Sequence, residues 1–317
     1  MNSSSVFPSY AGIVVRRSAK YLIVALIALS LLTTRGASAK ERSFAYVVTT
    51  NSQFGVVDIT TGAFHQIGAD TPEPLVNLVW WKESLLSVSV SGNLSKVNPK
   101  TGEVTVIGAT GLGFNVFELA EARGRLYLTD FDNNLYKVDP ENGVATLLRA
   151  TGIPAFPAAP FSSNADGTIN LGDETLLGVD GRLFATFDAF TLDPASLAQK
   201  PDDCCDPAVY EINPSTGLAK VIAPHTSLNL GAAVFMNGRY FTFKWIATGF
   251  SAAGPEIKSQ LLILDLETGR TEQLENAGGP IFVDAAAGGV TGAAPAHFED
   301  GKGPFPHHPC FHTRESR

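Results

Sequence analysis

Short runs of alternating apolar and polar residues recur along the chain, and each run ends in the same kind of turn. An alternation with a period of two predicts a β-strand whose side chains point in turn to opposite faces of a sheet. We therefore expect five related segments, each a strand followed by a turn. They read QFGVVDITTG (53–62), NLSKVNPKTG (93–102), NNLYKVDPENG (133–143), AVYEINPSTG (208–217) and LLILDLETG (261–269).

The turns share a spacing that has a physical reason. An Asp or Asn ends each strand, Gly follows four residues later, and in three copies Pro comes directly after the Asp or Asn. The Asp or Asn side chain accepts hydrogen bonds from nearby backbone N–H groups, and Gly adopts a positive φ without strain. The pairs are Asp58 and Gly62, Asn98 and Gly102, Asp139 and Gly143, Asn213 and Gly217, and Asp265 and Gly269.

Each segment lies within a longer unit of four predicted strands. A β-prone run follows the Gly, as in EVTVIG (103–108), and another strand precedes the alternating run, as in GRLYLTD (124–130). A further apolar segment comes before that strand. These first strands read NLVWW (77–81), NVFELA (115–120), NLGDETLLGV (170–179) and NLGAAVFM (229–236). Four strands in about 40 residues is the period of a β-propeller blade.

The two ends of the repeated region predict how the ring of blades closes. The first unit begins at residues 43–50 without a first strand, and an unused segment, PIFVDAAAGG, remains at 280–289. Pairing of these two segments would complete one blade and remove free sheet edges. We predict an all-β fold, a five-bladed β-propeller with three-plus-one strand closure.

Uneven spacing of the repeats leaves one alternative open. Asp58, Asn98 and Asp139 are 40 and 41 residues apart, but the next two intervals are 74 and 52 residues. We expect insertions at about 152–168 and 189–207. A degenerate blade hidden in this region would instead make six blades.

The N-terminal residues predict export. A basic patch (16–20) precedes an uncharged apolar run (21–32), and small residues follow at Ala37 and Ala39. This is the plan of a signal peptide, and the apolar run is shorter than the roughly 20 residues that a membrane-spanning helix needs. We predict cleavage after Ala39, with an uncleaved anchor as the alternative.

Cleavage there divides the chain into three parts: a signal peptide (1–39), the propeller (40–292) and a C-terminal tail (293–317). The protein is expected in the periplasm or outside the cell, by the Sec or the twin-arginine route. The whole chain has a formal net charge of −8, and residues 1–39 carry four basic and no acidic side chains, which leaves −12 after cleavage.

So acidic a chain, without a basic stripe, is a poor ligand for nucleic acid or an anionic membrane. We therefore expect no nucleic acid partner and no membrane association after cleavage. We expect a monomer that binds a protein, a glycan or a small ligand.

The repeats resemble those of secreted bacterial β-propeller proteins whose blades read L-Y-x-hydrophobic-Asx-P-x-T-G. The likeness covers about residues 44–290 and implies the propeller fold; such families range from binding scaffolds to lyases and lactonases. The repeats are also similar to quinoprotein propeller repeats, which carry a Trp soon after the Gly. None of the five repeats has that Trp.

Polar residues at the starts of the first strands are candidates for a ligand site, because first strands line the channel of a propeller. Asn77, Asn115, Asn170 and Asn229 predict a set of amides at one channel mouth, although each could instead satisfy a turn between blades. Nearby carboxylates could join them to bind calcium or transfer protons. These are Glu118, Asp173, Glu174 and Asp284.

The segment DFDNN (130–134) is a candidate calcium site. Asp130, Asp132 and Asn134 alternate like the start of a calcium loop, but the Gly and the closing Glu of a full loop are absent. We expect no cofactor, and calcium at this segment is the alternative.

The cysteines and the tail histidines have two interpretations each. In an oxidising compartment we expect Cys310 to form a disulfide with Cys204 or Cys205, which would anchor the tail. A ring between the adjacent cysteines, similar to that of quinoprotein alcohol dehydrogenases, is the alternative. The tail histidines suit zinc or copper, although their spacing matches no zinc module. They are His307, His308 and His312.

Two functions remain open on this sequence. No nucleophile-base set, phosphate loop or dinucleotide motif is visible, and His65 and His225 are isolated, so we favour a non-enzymatic exported scaffold. The alternative is a metal-assisted lactonase or lyase with its site at the channel mouth. Aromatic residues of the insertions are expected to form an apolar contact patch. They are Phe156, Phe161, Phe184, Phe187 and Phe190.

Overall fold

The computed structural model describes residues 43–156, 163–201, 207–224, 230–251, 254–278 and 283–287. Within these ranges the regular secondary structure consists of antiparallel β-strands, which form five sheets. Each sheet is one blade, numbered here in the order in which the chain forms them. The all-β, five-bladed propeller predicted from the repeats is therefore confirmed, and the six-bladed alternative is wrong.

The first three blades are regular four-stranded sheets. Blade 1 contains β1 (Phe44–Thr49), β2 (Phe54–Asp58) and β3 (Phe64–Gln66), and its fourth strand comes from the other end of the chain. Blade 2 contains β4 (Val79–Trp81), β5 (Ser84–Val88), β6 (Asn93–Val97) and β7 (Val104–Ala109). Blade 3 contains β8 (Glu118–Ala122), β9 (Arg125–Thr129), β10 (Asn134–Val138) and β11 (Ala145–Ala150).

The last two blades have longer strands. Blade 4 contains β12 (Ile169–Val179), β13 (Arg182–Leu192), a short β14 (Gln199–Pro201), β15 (Ala208–Ile212) and β16 (Ala219–Pro224). Blade 5 contains β17 (Leu230–Met236), β18 (Arg239–Ser251), β19 (Gly254–Leu264) and β20 (Thr271–Gly278). The strand β14 pairs with β13 in the same sheet, so the long interval between repeats extends blade 4 and adds no blade.

The closing strand is β21 (Val283–Ala287), which completes blade 1. It pairs antiparallel with β1, with Val47 opposite Ala286 and Tyr46 opposite Ala287. The predicted three-plus-one closure is thus confirmed. The innermost strands β21, β4, β8, β12 and β17 contact one another in turn around the central axis.

The five predicted turns have the expected hydrogen bonds. In each, the Gly N–H donates to the carbonyl of the Asp or Asn at 2.7–2.8 Å, and the Gly φ lies between +66° and +83°. A sixth turn of this kind was missed in the sequence because Leu197 stands in place of Gly. Its N–H donates to the Asp193 carbonyl at 2.8 Å with φ +59°.

Apolar side chains fill the spaces between neighbouring blades. Between blades 3 and 4, for example, Ala120 and Tyr127 pack with Leu176 and Phe187. Because each strand alternates its side chains between two faces, one sheet contributes to the cores on both of its sides. No helix in the described part of the chain is long and apolar enough to span a membrane.

The expected apolar contact patch in the insertions is wrong. Phe184, Phe187 and Phe190 are fully or almost fully buried, since β13 carries them into the cores beside blade 4. Phe156 is half-buried and lies 4.9 Å from Phe187, ring centre to ring centre. Phe161 lies outside the described residues.

Candidate site at the channel mouth

Four structurally equivalent residues mark one end of the central channel. Each lies five residues before the first residue of the turn that joins the first two strands of its blade, and these turns begin at 82, 123, 180 and 237. From these four residues each inner strand runs along the channel to its turn. We call the end with the four residues the top face. The Asx turns lie on the opposite, bottom face. The equivalent residues are Asn77, Glu118, Thr175 and Ala232.

The asparagines singled out in the sequence are therefore not equivalent, and the predicted ring of amides does not form among the described residues. Asn115 lies three residues before the channel position, where its amide donates to Asp130 at 3.4 Å. Asn170 exchanges two hydrogen bonds with Asn164, at 2.8 and 2.9 Å. Asn229 lies outside the described residues, as do the side chains of Asp173 and Asp284.

Asn77 does reach the channel. It is 6% exposed, and its side-chain N–H donates to the Glu118 carboxylate of the next blade. Its Oδ1 has no hydrogen-bond partner in the described part of the protein. Glu118 is itself only 8% exposed. The pair places a carboxylate and an amide oxygen, both buried, at one end of the channel.

Thr175 occupies the corresponding place in blade 4. Its hydroxyl lies 2.9 Å from the carbonyl oxygen of Leu230 and 2.7 Å from that of Gly231, both on the inner strand of blade 5. This hydroxyl therefore ties blade 4 to blade 5 and is not free for a ligand.

Glu174, the residue before Thr175, faces the opposite way, toward blade 3. It is 0% exposed, and neither carboxyl oxygen makes a hydrogen bond within the described structure. Burial raises the pKa of Glu174 to about 8, and the charge of Asp130 adds to this rise. The hydroxyl of Thr129 lies near the carboxyl and offsets part of the rise in pKa, although neither group completes a hydrogen bond of ordinary geometry.

A second charged group lies between blades 4 and 5. Lys244 is half-buried, and this burial lowers its pKa, while the nearby carboxylate of Asp188 acts in the opposite direction. Asp188 is buried and stands opposite Asp173 across the β12–β13 pair. Thr129, Asp188 and Lys244 were not identified from the sequence, because each reaches its neighbour only across a blade or between blades.

The DFDNN segment forms a turn in which donors surround Asp130. Its carboxylate accepts from the backbone N–H groups of Asp132 (3.0 Å) and Asn134 (2.8 Å). It also accepts from the Asn134 amide (3.0 Å) and the Tyr136 hydroxyl (2.9 Å). Donors are thus aimed at the oxygens that a calcium ion would need. Burial, together with the hydrogen bond to Asp130, raises the pKa of Tyr136 to about 12.

The remaining metal and disulfide candidates lie outside the described residues. These are Cys204, Cys205, Cys310, His307, His308 and His312. In the described part of the chain no group of three or more His, Cys, Asp or Glu side chains is arranged to hold a metal ion. His65 is an exposed residue of β3 whose pKa is lowered by partial burial, against the charge of Asp58.

A cavity of about 230 Å³ lies within the channel below this mouth. Four inner strands line it, each with four consecutive residues. These are 77–80 at the start of β4, 118–121 in β8, 175–178 in β12 and 232–235 in β17. The first level of this lining is Asn77, Glu118, Thr175 and Ala232, and the last level is Trp80, Glu121, Gly178 and Phe235. A side chain at Gly178 would overlap the backbone carbonyl of Glu121, so glycine allows β8 and β12 to approach closely there.

Long strand pairs of blades 4 and 5 also extend past the top face. In blades 1, 2 and 3 the second and third strands are joined by four residues each, at 50–53, 89–92 and 130–133. In blade 5, β18 and β19 pair as far as Ser251 and Gly254, although the inner strand β17 pairs with β18 only up to Lys244. In blade 4, β12 and β13 pair out to Ile169 and Leu192, beyond the last contact of β13 with β15 at Phe187.

No protein-family model matches the chain, and no curated protein matches its sequence. Among solved structures, the chain is similar to one from a nidogen/laminin complex, at 9% identity and a TM-score of 0.46, over 80% of this chain and 100% of that one. It is also similar to TolB from Acinetobacter baumannii, at 13% identity and a TM-score of 0.39, over 78% of this chain and 66% of that one.

A protein of unknown function from Bacteroides thetaiotaomicron has 15% identity and a TM-score of 0.39, over 75% of this chain and 58% of that one. Since every TM-score is below 0.5, these likenesses bear on neither the function nor the partners of this protein. The five sheets and their closure define it as a five-bladed β-propeller.

Proposed function

We propose that the protein is an exported, non-enzymatic β-propeller that binds a protein partner through its top face. The observation that carries this proposal is the extension of β18–β19 past the top face, next to the extended open end of β12–β13 on the neighbouring blade. All second strands of a propeller run in the same direction relative to the axis, so the extended ends of β13 and β18 lie at the same face. Blades 1, 2 and 3 have only four-residue connections at that face.

The end of the β18–β19 hairpin beyond Lys244, called the ribbon here, contributes little to the cores between blades. Trp245, Ile246 and Ala247 are half-buried, whereas Thr248, Glu256 and Lys258 are exposed. Ordering a ribbon of this length costs conformational entropy that its own burial offsets only in part. Extended segments held on a rigid scaffold are common places for binding residues, and the exposed side chains of this ribbon offer a surface to a protein partner.

Site-specific photo-cross-linking in the exporting cell tests this proposal. A photoreactive amino acid at Thr248, on the ribbon, is expected to capture a protein of one defined mass. The matched control is the same amino acid at Glu141, an exposed residue in an Asx turn of the bottom face. Equal capture at both positions, or no adduct at Thr248, would contradict the proposal.

A shortened variant separates binding from folding. Ile246 and Lys258 are cross-strand partners, so residues 247–257 can be replaced by Asn-Gly, which forms a tight two-residue turn. We expect the variant to keep the melting temperature of the full protein and to lose the captured partner. Retention of the partner at wild-type yield would count against the ribbon as the binding element.

A further inference from the structure

The outer edge of the propeller carries an exposed apolar surface on three neighbouring blades. Seven large apolar side chains of the described residues are 40–79% exposed, and six of them belong to the outermost strands β7, β11 and β16 or directly precede these strands. We call these six the outer apolar band. They are Val106, Val144, Leu147, Leu148, Leu218 and Val221. Clustered exposed apolar residues mark sites of interaction, whereas single ones are ordinary.

The band is not required by the propeller fold. Val106, Leu147 and Val221 each follow the Gly of an Asx turn by four residues, and each is more than half exposed. The equivalent residues of blades 1 and 5 are Gln66 and Gln273, which are also exposed. The same place in the fold therefore accepts a polar side chain, and the apolar side chains of blades 2, 3 and 4 indicate a role other than folding.

Backbone hydrogen bonds join the three outer strands into one surface. The N–H of Ala145, at the start of β11, donates to the carbonyl of Thr110, next to the end of β7, at 3.0 Å. The N–H of Ala219, at the start of β16, donates to the carbonyl of Thr151, next to the end of β11, at 2.9 Å. The central strand β11 ends its sheet, and its outer edge pairs with no strand in the described part of the protein. Such an edge is a template for an additional strand.

The charged side chains beside the band are basic, although the whole protein is acidic. The two outer strands of blades 2, 3 and 4 contain five charged residues, of which only Glu211 is acidic, and it is paired with Arg182 at 2.7 Å. The other four are exposed and are spread over four strands, so the sequence shows no basic stripe. They are Lys96, Lys137, Arg149 and Lys220. Acidic residues of these blades such as Glu103 and Glu141 lie in or next to the Asx turns of the bottom face.

The apolar and the basic side chains of β11 lie on opposite faces of the strand. Leu147 stands opposite Tyr136, which packs toward blade 2. Arg149 stands opposite Leu135, which packs toward blade 4, and Lys137 faces the same way because it lies two residues after Leu135. Cross-strand partners share a face, so a strand added to β11 would place alternate side chains beside Leu147 and beside Arg149.

We propose that β11 binds an extended segment of a partner protein in which aliphatic and acidic residues alternate, and that this segment becomes a fifth strand of blade 3. Its aliphatic side chains lie beside Leu147, and its carboxylates lie on the side of Arg149 and Lys137. The site lies on the outer edge of the propeller and is separate from the ribbon, so this proposal does not depend on the proposed top-face interaction.

Charge and shape favour this occupant over a second copy of the chain or a membrane. Pairing of β11 with β11 of a second copy would bring the basic residues of both copies to one interface, where like charges repel. A flat bilayer cannot cover a band that curves around three blades of a closed ring. An acidic extended segment satisfies both the free backbone edge and the basic side chains beside it.

Fluorescence anisotropy with a labelled seven-residue peptide of alternating Val and Glu tests the proposal on the full exported protein, at low ionic strength. We expect saturable binding of one peptide per protein. Leu147→Gln, which introduces the residue found in blades 1 and 5, should weaken binding about fivefold. Arg149→Gln should weaken binding about threefold and reduce its dependence on salt. Phe114→Gln changes the seventh exposed apolar residue, which lies outside the band, and this control should bind like the wild type.

Two methylated peptides test whether the segment binds as a strand. A strand presents the N–H groups of alternate residues to one edge, so methylation of the backbone nitrogens of either all Val or all Glu residues blocks only one edge. One version should retain binding and the other should lose it. Equal affinity of both versions, or no saturable binding of the parent peptide, would overturn the proposal.

Wild-type affinity in Leu147→Gln, or equally tight binding of a peptide with Lys in place of Glu, would also overturn it. So would a dimer of the protein that dissociates in Leu147→Gln, which would assign the band to a second copy, or binding to vesicles of anionic phospholipid that this variant abolishes. Replacement of residues 247–257 by Asn-Gly should leave the affinity for the peptide unchanged. That variant therefore distinguishes failure of this site from failure of the proposed top-face interaction.

Discussion

Gly143 and Gly108 show how single residues set the distance between neighbouring blades. Gly143 ends the Asx turn of blade 3 with φ +83°, and a side chain there would overlap the carbonyl oxygen of Gly108 in blade 2. A side chain at Gly108 would in turn overlap the carbonyl of Asn142. Glycine is therefore required at position 143 both for its backbone conformation and for the close approach of two backbones.

Gly143→Ala is predicted to destabilise the protein by about 3 kcal/mol, because it adds a steric overlap with backbone to the cost of left-handed φ. Gly124→Ala is the matched control. Gly124 has φ +72°, but no atom lies within 4 Å of the position of an added Cβ, so only about 1–2 kcal/mol should be lost. Urea unfolding measures both. Equal losses would show that the contact with Gly108 adjusts without cost.

Glu174 is the residue whose charge conflicts most with its position. It lies among the apolar side chains between blades 3 and 4, next to Phe187 in the register of β12 and β13, with a pKa raised to about 8. The nearby carboxylate of Asp130 on the facing blade repels a negative charge at Glu174, so ionisation is opposed by both burial and repulsion.

The variant Glu174→Gln should become more stable than the wild type as the pH rises. The folded protein holds the proton of Glu174 up to about pH 8, whereas the unfolded chain releases it near the ordinary glutamate value of 4.5, so stability falls between these two values. At pH 4 the two proteins should differ little, and at pH 8 the variant should gain a few kcal/mol. Urea unfolding across this pH range measures the difference.

The exposed Glu141→Gln provides the control for loss of one negative charge elsewhere. A constant difference between Glu174→Gln and the wild type from pH 4 to pH 8 would mean that Glu174 is ionised throughout.

At the scale of elements, the closing strand β21 joins the two ends of the propeller. Its pairing with β1 supplies the innermost strand of blade 1, and it contacts the inner strands of blades 2 and 5. Without it, β1 would expose an unpaired edge beside the channel, and the inner strands of the neighbouring blades would lose their neighbour. Exposed edges of this kind promote aggregation.

Deletion of residues 280–317 is therefore predicted to cause aggregation or unfolding. Deletion of 293–317 alone, which retains β21, should change the melting temperature little. Thermal unfolding and size-exclusion chromatography of both truncations test this. A chain ending at residue 279 that melts like the full protein would show that blade 1 is stable without its fourth strand.

At the scale of the whole molecule, the predicted cleavage of the signal peptide would change the net charge of the protein. Removal of residues 1–39 takes away four basic side chains and no acidic one, which leaves a net charge of −12. We predict that the exported protein begins at Lys40, because small residues at 37 and 39 precede that position. Intact-mass measurement of protein recovered outside the cytoplasm checks this. A mass that includes residues 21–39 would indicate a retained anchor.

Five blades and their closure could be predicted from the sequence, because both depend on local patterns. The alternation of LYKV before Asp139 and the Gly four residues later specify a strand and a turn within a dozen residues. Repetition of that pattern gives the number of blades. The unused apolar segment at 280–289 then has one free place to pair, beside β1.

The candidate site depended on contacts between residues that are far apart in the sequence. Counting from the start of each first strand put Asn115 and Asn170 in the channel, whereas the hairpin register places Glu118 and Thr175 there. Because strand side chains alternate, an offset of three or five residues also moves a side chain to the other face of its sheet. Register is set by the pairing of strands, and the first strands carry no turn motif of their own that would fix it.

Burial, too, was decided only by tertiary structure. Phe187 and Phe190 are aromatic residues of the kind that form contact patches. They lie in β13, however, and this strand is buried on both faces. In the sequence Glu174 resembles any glutamate of a strand. In the folded protein Thr129 of β9 and the following Asp130 lie against it. The sequence by itself determined the repeated unit, since its turns and strands form from adjacent residues. Only the packing of blades around the axis determined which side chains meet, because those contacts join residues more than 40 positions apart.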